Sequence, residues 1–296
     1  MPEKLTVALI GPGAIGTTVA AALHEVGHTP IICGRSAKDN LELKFEGQHI
    51  VVPGPVKTDP NEITQPVDLV FVAVKTTQVD AAAPWLKALC NENTVVCALQ
   101  NGVEQKESLS PLSSGASVLP SVVWFPAQKE PDGSVWLRQK ARLTLPDTPH
   151  TQIIADALKD SLCSVDLSTD FATIAWRKLL QNAVAGLMVL TTRRAGMFAR
   201  DDITELAYAY LDECLKVARA EGAKLTDGVP DEIVGVLKGY APDIGTSILV
   251  DRLANQPLEW DIRNGVIQRR GRAHQIATPI SDIVVPLLAA ASDGPG

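Results

Sequence analysis

The sequence has no excess of positive charge, no cysteine pair and no long apolar run, and each absence closes a class of function. Its formal net charge is −7, which argues against a general nucleic-acid binder, because phosphate backbones select basic surfaces. The local basic run Arg269, Arg270 and Arg272 reads as one solvated helix face. The five cysteines (Cys33, Cys90, Cys97, Cys163 and Cys214) form no C-x-x-C pair. Three of them fall in apolar strand or helix patterns, so reduced thiols in a cytoplasmic protein are expected. No signal peptide is expected, since the apolar run at residues 5–10 is short and leads straight into the fold. The longest apolar helical stretch, residues 179–190, is interrupted by Gln181 and Asn182 and is too short and polar to span a membrane. Internal repeats and low-complexity segments are absent too. What is present is a globular composition, 46% hydrophobic and 21% charged over 296 residues. That is enough for a sizeable core and two domains.

The organising stretch is LTVALIGPGAIGTTVAAAL, residues 5–23. A β-rich run meets Gly11, Gly13 and Gly16, then a small-residue helix pattern, in the G-x-G-x-x-G spacing. In such a turn Gly11 allows the reversal, Gly13 lets a pyrophosphate approach the backbone, and Gly16 lets the helix pack on its strand. The N–H groups of Gly13, Ala14, Ile15 and Gly16, with the helix dipole, then make an anion site. A glycine-rich turn without ligand is the plainer alternative.

Residues 29–33 read as a second strand, followed by Gly34-Arg35-Ser36 with Lys38 close by. An acidic side chain at this point would bond the adenosine ribose and repel a 2′-phosphate. Arg35 instead matches a phosphate in charge and geometry, which favours NADP(H) over NAD(H). Asp39 is the counter-candidate if the strand ends later, and Arg35 could also serve as a surface loop residue. Residues 45–58 alternate as short strands. Residues 67–75, VDLVFVAVK, form a parallel-type buried strand, and residues 94–99 another, ending in Gln100-Asn101-Gly102. Ligands sit beyond the carboxyl ends of such strands, so Lys75 and Asn101 are expected on the rim of the glycine turn. Further strands at residues 118–125 and 135–145, expected to be antiparallel, would close the sheet. A helix at 151–162 and a strand at 164–167 finish the first domain, with a boundary near Thr169.

From Asp170 the pattern is helical, and the Asp-Gly-Pro-Gly tail is expected to fray. In the helix at residues 171–190, Lys178 and Asn182 share a face that is otherwise apolar. Lys178 is either a snorkelling surface residue beside Arg177 or a cleft lysine fit for acid–base work. A helix at 246–254 puts Ser247 and Asp251 on one face. Pro257 is expected to start the next helix, with Glu259 in its first turn and Asp261 and Arg263 at the surface.

Six segments in order, GPGAIG (11–16), AVKTTQ (73–78), LQNG (99–102), WRKLLQN (176–182), TSILVD (246–251) and the EWDIRNG…RRGRAH run (259–274), resemble the 2-dehydropantoate 2-reductase (ketopantoate reductase) family over essentially the whole chain. The resemblance implies an N-terminal Rossmann domain (1–169) and a C-terminal all-helical domain (170–296) like that of 6-phosphogluconate dehydrogenase. It implies NADPH-dependent reduction of 2-dehydropantoate to (R)-pantoate, in pantothenate and coenzyme A synthesis. By the same resemblance Lys178 is the general acid and Glu259 the active-site carboxylate. Asn101, Asn182 and Ser247 bind and orient the substrate, and Arg35 and Lys75 contact the cofactor's 2′-phosphate side and the neighbouring site. Asp251 matches a motif position without a settled role. The site is expected in the cleft between the domains, and the assembly is expected to be a monomer or homodimer. The chain departs from the family pattern after Asn182, where AVAGLMVL replaces a segment near N-P-L-T-A, and at Asp243-Ile244-Gly245, which lacks a polar residue; both differences fall on the substrate side. The alternatives are a reductase of the same architecture acting on another 2-keto or 3-hydroxy acid, and an NADPH-binding sensor without chemistry.

Overall fold

The computed structural model describes residues 5–294; Pro295 and Gly296 of the expected frayed tail lie outside them. The chain divides between Phe171 and Ala172 into two compact units.

The first unit opens with β1 (Val7–Ile10), α1 (Ala14–Glu25) and β2 (Ile31–Cys33), followed by the strands β3 (Asn40–Phe45) and β4 (Gln48–Pro53). Then come β5 (Leu69–Val72), α2 (Val79–Leu89), β6 (Val95–Ala98), α3 (Gln105–Leu109) and β7 (Ser117–Pro120). It ends with β8 (Val122–Val123), β9 (Ala127–Lys129), β10 (Val135–Leu137), β11 (Ala141–Pro146), α4 (Gln152–Ala157) and β12 (Cys163–Ser168). The main sheet is parallel throughout, in the order β2-β1-β5-β6-β7. Its strands are buried on both faces and read as continuous apolar runs, as sandwiching between helices requires.

The expected single closing sheet is instead three sheets. β7 is parallel and joins the main sheet. β8, β11 and β12 form a second, and β4, β3, β10 and β9 a third. The runs at 118–125 and 135–145 are each broken. Ser121 turns its hydroxyl and N–H onto the Ala98 carbonyl, and the polar Arg138-Gln139-Lys140 separates β10 from β11. The strand pattern also begins earlier than residue 45. Leu41, Leu43 and Phe45 are buried in alternation along β3, and the hairpin turns at Glu46 and Gly47, both at positive φ.

Among the described residues the second unit is helical: α5 (Phe171–Thr191), α6 (Asp201–Ala220), α7 (Val229–Gly239), α8 (Ser247–Leu253), α9 (Val266–Ala273) and α10 (Pro279–Ser292). Pro257 does not start a helix. Leu258 is buried, and its N–H donates to Ser292 Oγ at 2.9 Å, which holds residues 256–259 out of helical conformation. Helical structure resumes at Trp260 and widens into a π turn, Asp261–Gly265, before α9. Tyr210 is fully buried, and Asn264 Nδ2 donates to its hydroxyl and to the Ala183 carbonyl, each at 2.9 Å. Gly186 makes this fit possible, since a Cβ there would lie 2.9 Å from Asn264 Nδ2. Arg269 and Arg272 are exposed and pair with Asp261 and Asp282, whereas Arg270 is half-buried against Glu221, so the expected solvated basic face holds for two of the three.

Candidate active site

In the first unit the candidate residues lie along one edge of the parallel sheet. Ile10 pairs in register with Cys33 and with Val72, and Val72 pairs with Ala98. The segments that follow these four residues therefore leave the sheet on one rim. They carry Gly11–Gly16, Arg35, Lys75 and Asn101. The glycines fit an anion. Gly11 has φ +94°, and a Cβ there would lie 2.8 Å from Val74. A Cβ on Gly16 would sit 2.2 Å from the Gly11 carbonyl oxygen, so only glycine lets α1 start this close to its strand. Gly13 differs: a Cβ there meets nothing within 4 Å, so its missing side chain leaves open space beside the helix start. Gly13 caps α1 without a side-chain bond, and the first turn contains no acidic residue. Ala14 and Ile15 form that turn. The Gly13 N–H donates to the Gly11 carbonyl at 2.8 Å, and a pyrophosphate fits the N–H groups and positive dipole end of the turn that follows, which carries no acidic residue of its own.

β2 ends at Cys33, so Arg35 lies two residues beyond it, exposed. Gly34 brings this loop against the glycine turn, since a Cβ on it would stand 2.9 Å from Pro12 Cδ. Asp39 is exposed six residues beyond β2, and the carbonyls of Lys38 and Asp39 accept from Val56 and Gly54 and tie this backbone to the segment after β4. Lys75 is half-buried, three residues beyond β5. Asn101 is half-buried in a turn that Gln105 clamps, with Nε2 donating to the Gln100 and Gly102 carbonyls at 3.0 and 2.8 Å. Gln100 Nε2 donates to the Val74 carbonyl at 3.0 Å and binds the Asn101 loop to the Lys75 loop. Both glutamines lie outside the expected site set: Gln100 falls in the LQNG segment without a role of its own, and Gln105, at the head of α3, carries no motif signal.

The helical unit carries a separate group of candidate residues. Lys178 is half-buried near the middle of α5. Arg177 next to it turns away and pairs with Glu232 at 2.8 Å. Asn182, one turn on, is buried, and its Oδ1 accepts from Arg263 at 2.9 Å. Arg263 corrects the sequence reading: it is 3% exposed, not a surface residue. Burial pushes its pKa down, while the carboxylates of Glu259 and Asp251 act through space in the opposite direction. Arg263 thus meets Asn182 by a hydrogen bond and Glu259 and Asp251 through space. Glu259 is half-buried just before the first residue of the helical turn rather than inside it. Ser247 is exposed at the head of α8, one turn before Asp251. The spacing of Glu259 and Arg263, four residues apart, is the one local sign that could have drawn Arg263 in.

Among the described residues, no group of His, Cys, Asp and Glu could hold a metal ion, and no helix is long and apolar enough to cross a membrane. All five cysteines are free and buried; burial pushes the thiols of Cys33, Cys90 and Cys163 up to about 12.

The arrangement is similar to known proteins over its full length. A 2-dehydropantoate 2-reductase of Mycobacterium tuberculosis (strain ATCC 25618 / H37Rv) is 55% identical over 291 residues, covering 98% of this chain and 99% of that one. Another, from Caulobacter vibrioides, is 34% identical, covering 97% of this chain and 99% of that one. The solved structure of a dimeric ketopantoate reductase from Staphylococcus aureus superposes with a TM-score of 0.89 at 29% identity, covering 99% of this chain and 100% of that one. The family model for ketopantoate reductase PanE/ApbA matches residues 7–150, and that for its C-terminal region matches residues 170–292. A glycine turn on a parallel sheet, a helical unit built on α5, and matches to both halves in order leave one assignment: the chain belongs to the ketopantoate reductase family.

Proposed function

We propose that this protein reduces 2-dehydropantoate to (R)-pantoate with NADPH, Lys178 acting as the general acid. The carrying observation is the fit of residues to task in both units. The rim offers an anion cradle at Gly11, Gly13, Ala14, Ile15 and Gly16. The helical unit offers a half-buried ammonium one turn from a buried amide. The chain is an NAD(P)-dependent oxidoreductase, and the bound cofactor supplies a hydride to the ketone carbon. The residues do the rest. Gly13 to Gly16 hold the pyrophosphate. Arg35, with no acidic residue at the end of β2, favours the 2′-phosphate of NADPH. Lys75 and Asn101 border the same rim. As negative charge grows on the carbonyl oxygen, Lys178 Nζ donates a proton to it and is left as the neutral amine. Glu259 steadies the polar network, and Asn182 and Ser247 orient the keto acid. Asn101 serves both ligands.

The free, buried thiols support a reducing compartment, and we place the protein in the cytoplasm. We also propose a homodimer. The Staphylococcus aureus relative is dimeric, and α10 exposes Ile283 and Leu287, 64% and 52% accessible, on successive turns; light scattering on the purified chain tests this.

Steady-state NADPH oxidation with 2-dehydropantoate tests the chemistry. Lys178→Ala is expected to lower kcat by about 10²-fold or more, the scale of a positioned acid, with NADPH affinity nearly unchanged. Near-normal turnover by the variant removes Lys178 from the role. A panel of other 2-keto acids tests the substrate, and a tenfold preference for one of them would reassign it.

A further inference from the structure

Arg263 lies in the π turn Asp261–Gly265, and its guanidinium is buried. One terminal nitrogen donates to Asn182 Oδ1 at 2.9 Å, across 81 residues of chain. A guanidinium has donors only, whereas a side-chain amide has a donor end and an acceptor end. Left alone, Asn182 could present either end to its surroundings. Beside a buried arginine it has one arrangement, with Oδ1 toward Arg263 and Nδ2 turned away. Nδ2 is buried and meets no acceptor among the described residues. Arg263 Nε is likewise buried without an acceptor. Two unanswered donors on adjoining side chains are costly to leave so.

We infer that Arg263 is a positioning residue that locks the Asn182 amide with its N–H toward the keto acid. This position then recognises an oxygen lone pair of the substrate and rejects a hydrogen-bond donor. The inference rests on the reading that Asn182 faces substrate. Glu259 and Asp251 flank the guanidinium electrostatically, which keeps a charged group tolerable inside the unit.

The test uses the full chain, with steady-state turnover of 2-dehydropantoate, NADPH affinity and thermal melting measured for each variant. R263Q supplies an amide that both donates and accepts, so the lock is lost. Its kcat/KM is expected to fall about tenfold, chiefly through KM, with NADPH affinity unchanged. R263K keeps a donor-only group and is expected within about threefold of wild type. R263Q/N182A is expected to be no worse than N182A alone, because Arg263 acts through the amide. N182D offers Arg263 a carboxylate, so it folds, but it turns an oxygen toward the substrate and should lose about 10²-fold. R263Q indistinguishable from wild type beside an impaired N182A overturns the lock alone. N182A at wild-type turnover overturns the substrate-facing reading and the lock with it. N182D near wild type overturns the donor assignment. If R263Q does not fold, R263K and N182D decide the question: R263K impaired tenfold or more with melting and NADPH affinity unchanged overturns the lock, and N182D near wild type overturns the donor assignment.

Discussion

Two glycines three residues apart should respond in opposite ways to the same methyl group. At Gly13 a Cβ meets no protein atom within 4 Å, and the backbone, at φ −80° and ψ −165°, suits any residue. Gly13→Ala therefore costs about 0.5–1 kcal/mol at the cap, where glycine is preferred over alanine, against about 0.4–1 kcal/mol recovered from the less mobile unfolded chain. The melting temperature should stay within about 2 °C of wild type. The methyl group projects into the space assigned to the pyrophosphate, so NADPH affinity should fall at least tenfold, about 1.4 kcal/mol. At Gly16 the methyl lands 2.2 Å from the Gly11 carbonyl oxygen and 3.2 Å from Ala73 Cβ. Backbone must move, at a cost of about 2–3 kcal/mol, and the melting temperature should drop by about 4–12 °C. Circular dichroism melts without ligand, paired with titration of NADPH by fluorescence, read both effects. If Gly13→Ala binds NADPH as wild type does, the anion cradle is not at this turn. If it melts as low as Gly16→Ala, the packing argument is wrong.

Arg35→Ala should weaken NADPH far more than NADH, and equal losses for the two would refute the phosphate assignment; paired titrations measure this. Free thiols raised to about 12 by burial at Cys33, Cys90 and Cys163 stay protonated from pH 7 to pH 9. Ellman's reagent should thus label the native protein slowly over that range and all five cysteines after denaturation. Glu213 is buried and accepts from the Ile280 and Ser281 N–H groups at 2.8 and 2.9 Å, at the start of α10. Glu213→Gln keeps one acceptor oxygen and turns an amide donor toward the other N–H group, and should cost about 2–3 kcal/mol, measured by urea unfolding. A loss below about 0.5 kcal/mol would show that the carboxylate does not hold α10 in place.

The sequence alone determined what local physics can specify. A glycine spacing constrains only its own turn, so the β1–α1 junction was legible at residues 11–16. Continuous apolar runs mark buried parallel strands, so β5 and β6, and with them the rim positions of Lys75 and Asn101, followed directly. Lys178 and Asn182 shared a helix face by spacing alone. Tertiary structure decided the rest, because pairing and burial depend on partners distant in sequence. Nothing local separates a strand that joins the main sheet, as β7 does, from one that pairs elsewhere, as β11 does. Pro257 looks like a helix start until Leu258 is anchored by Ser292. Arg263 looks like a surface residue in a polar segment. Its burial is tolerable only because Asn182, on another helix, accepts its hydrogen bond and two carboxylates offset its charge. No single segment contains that arrangement.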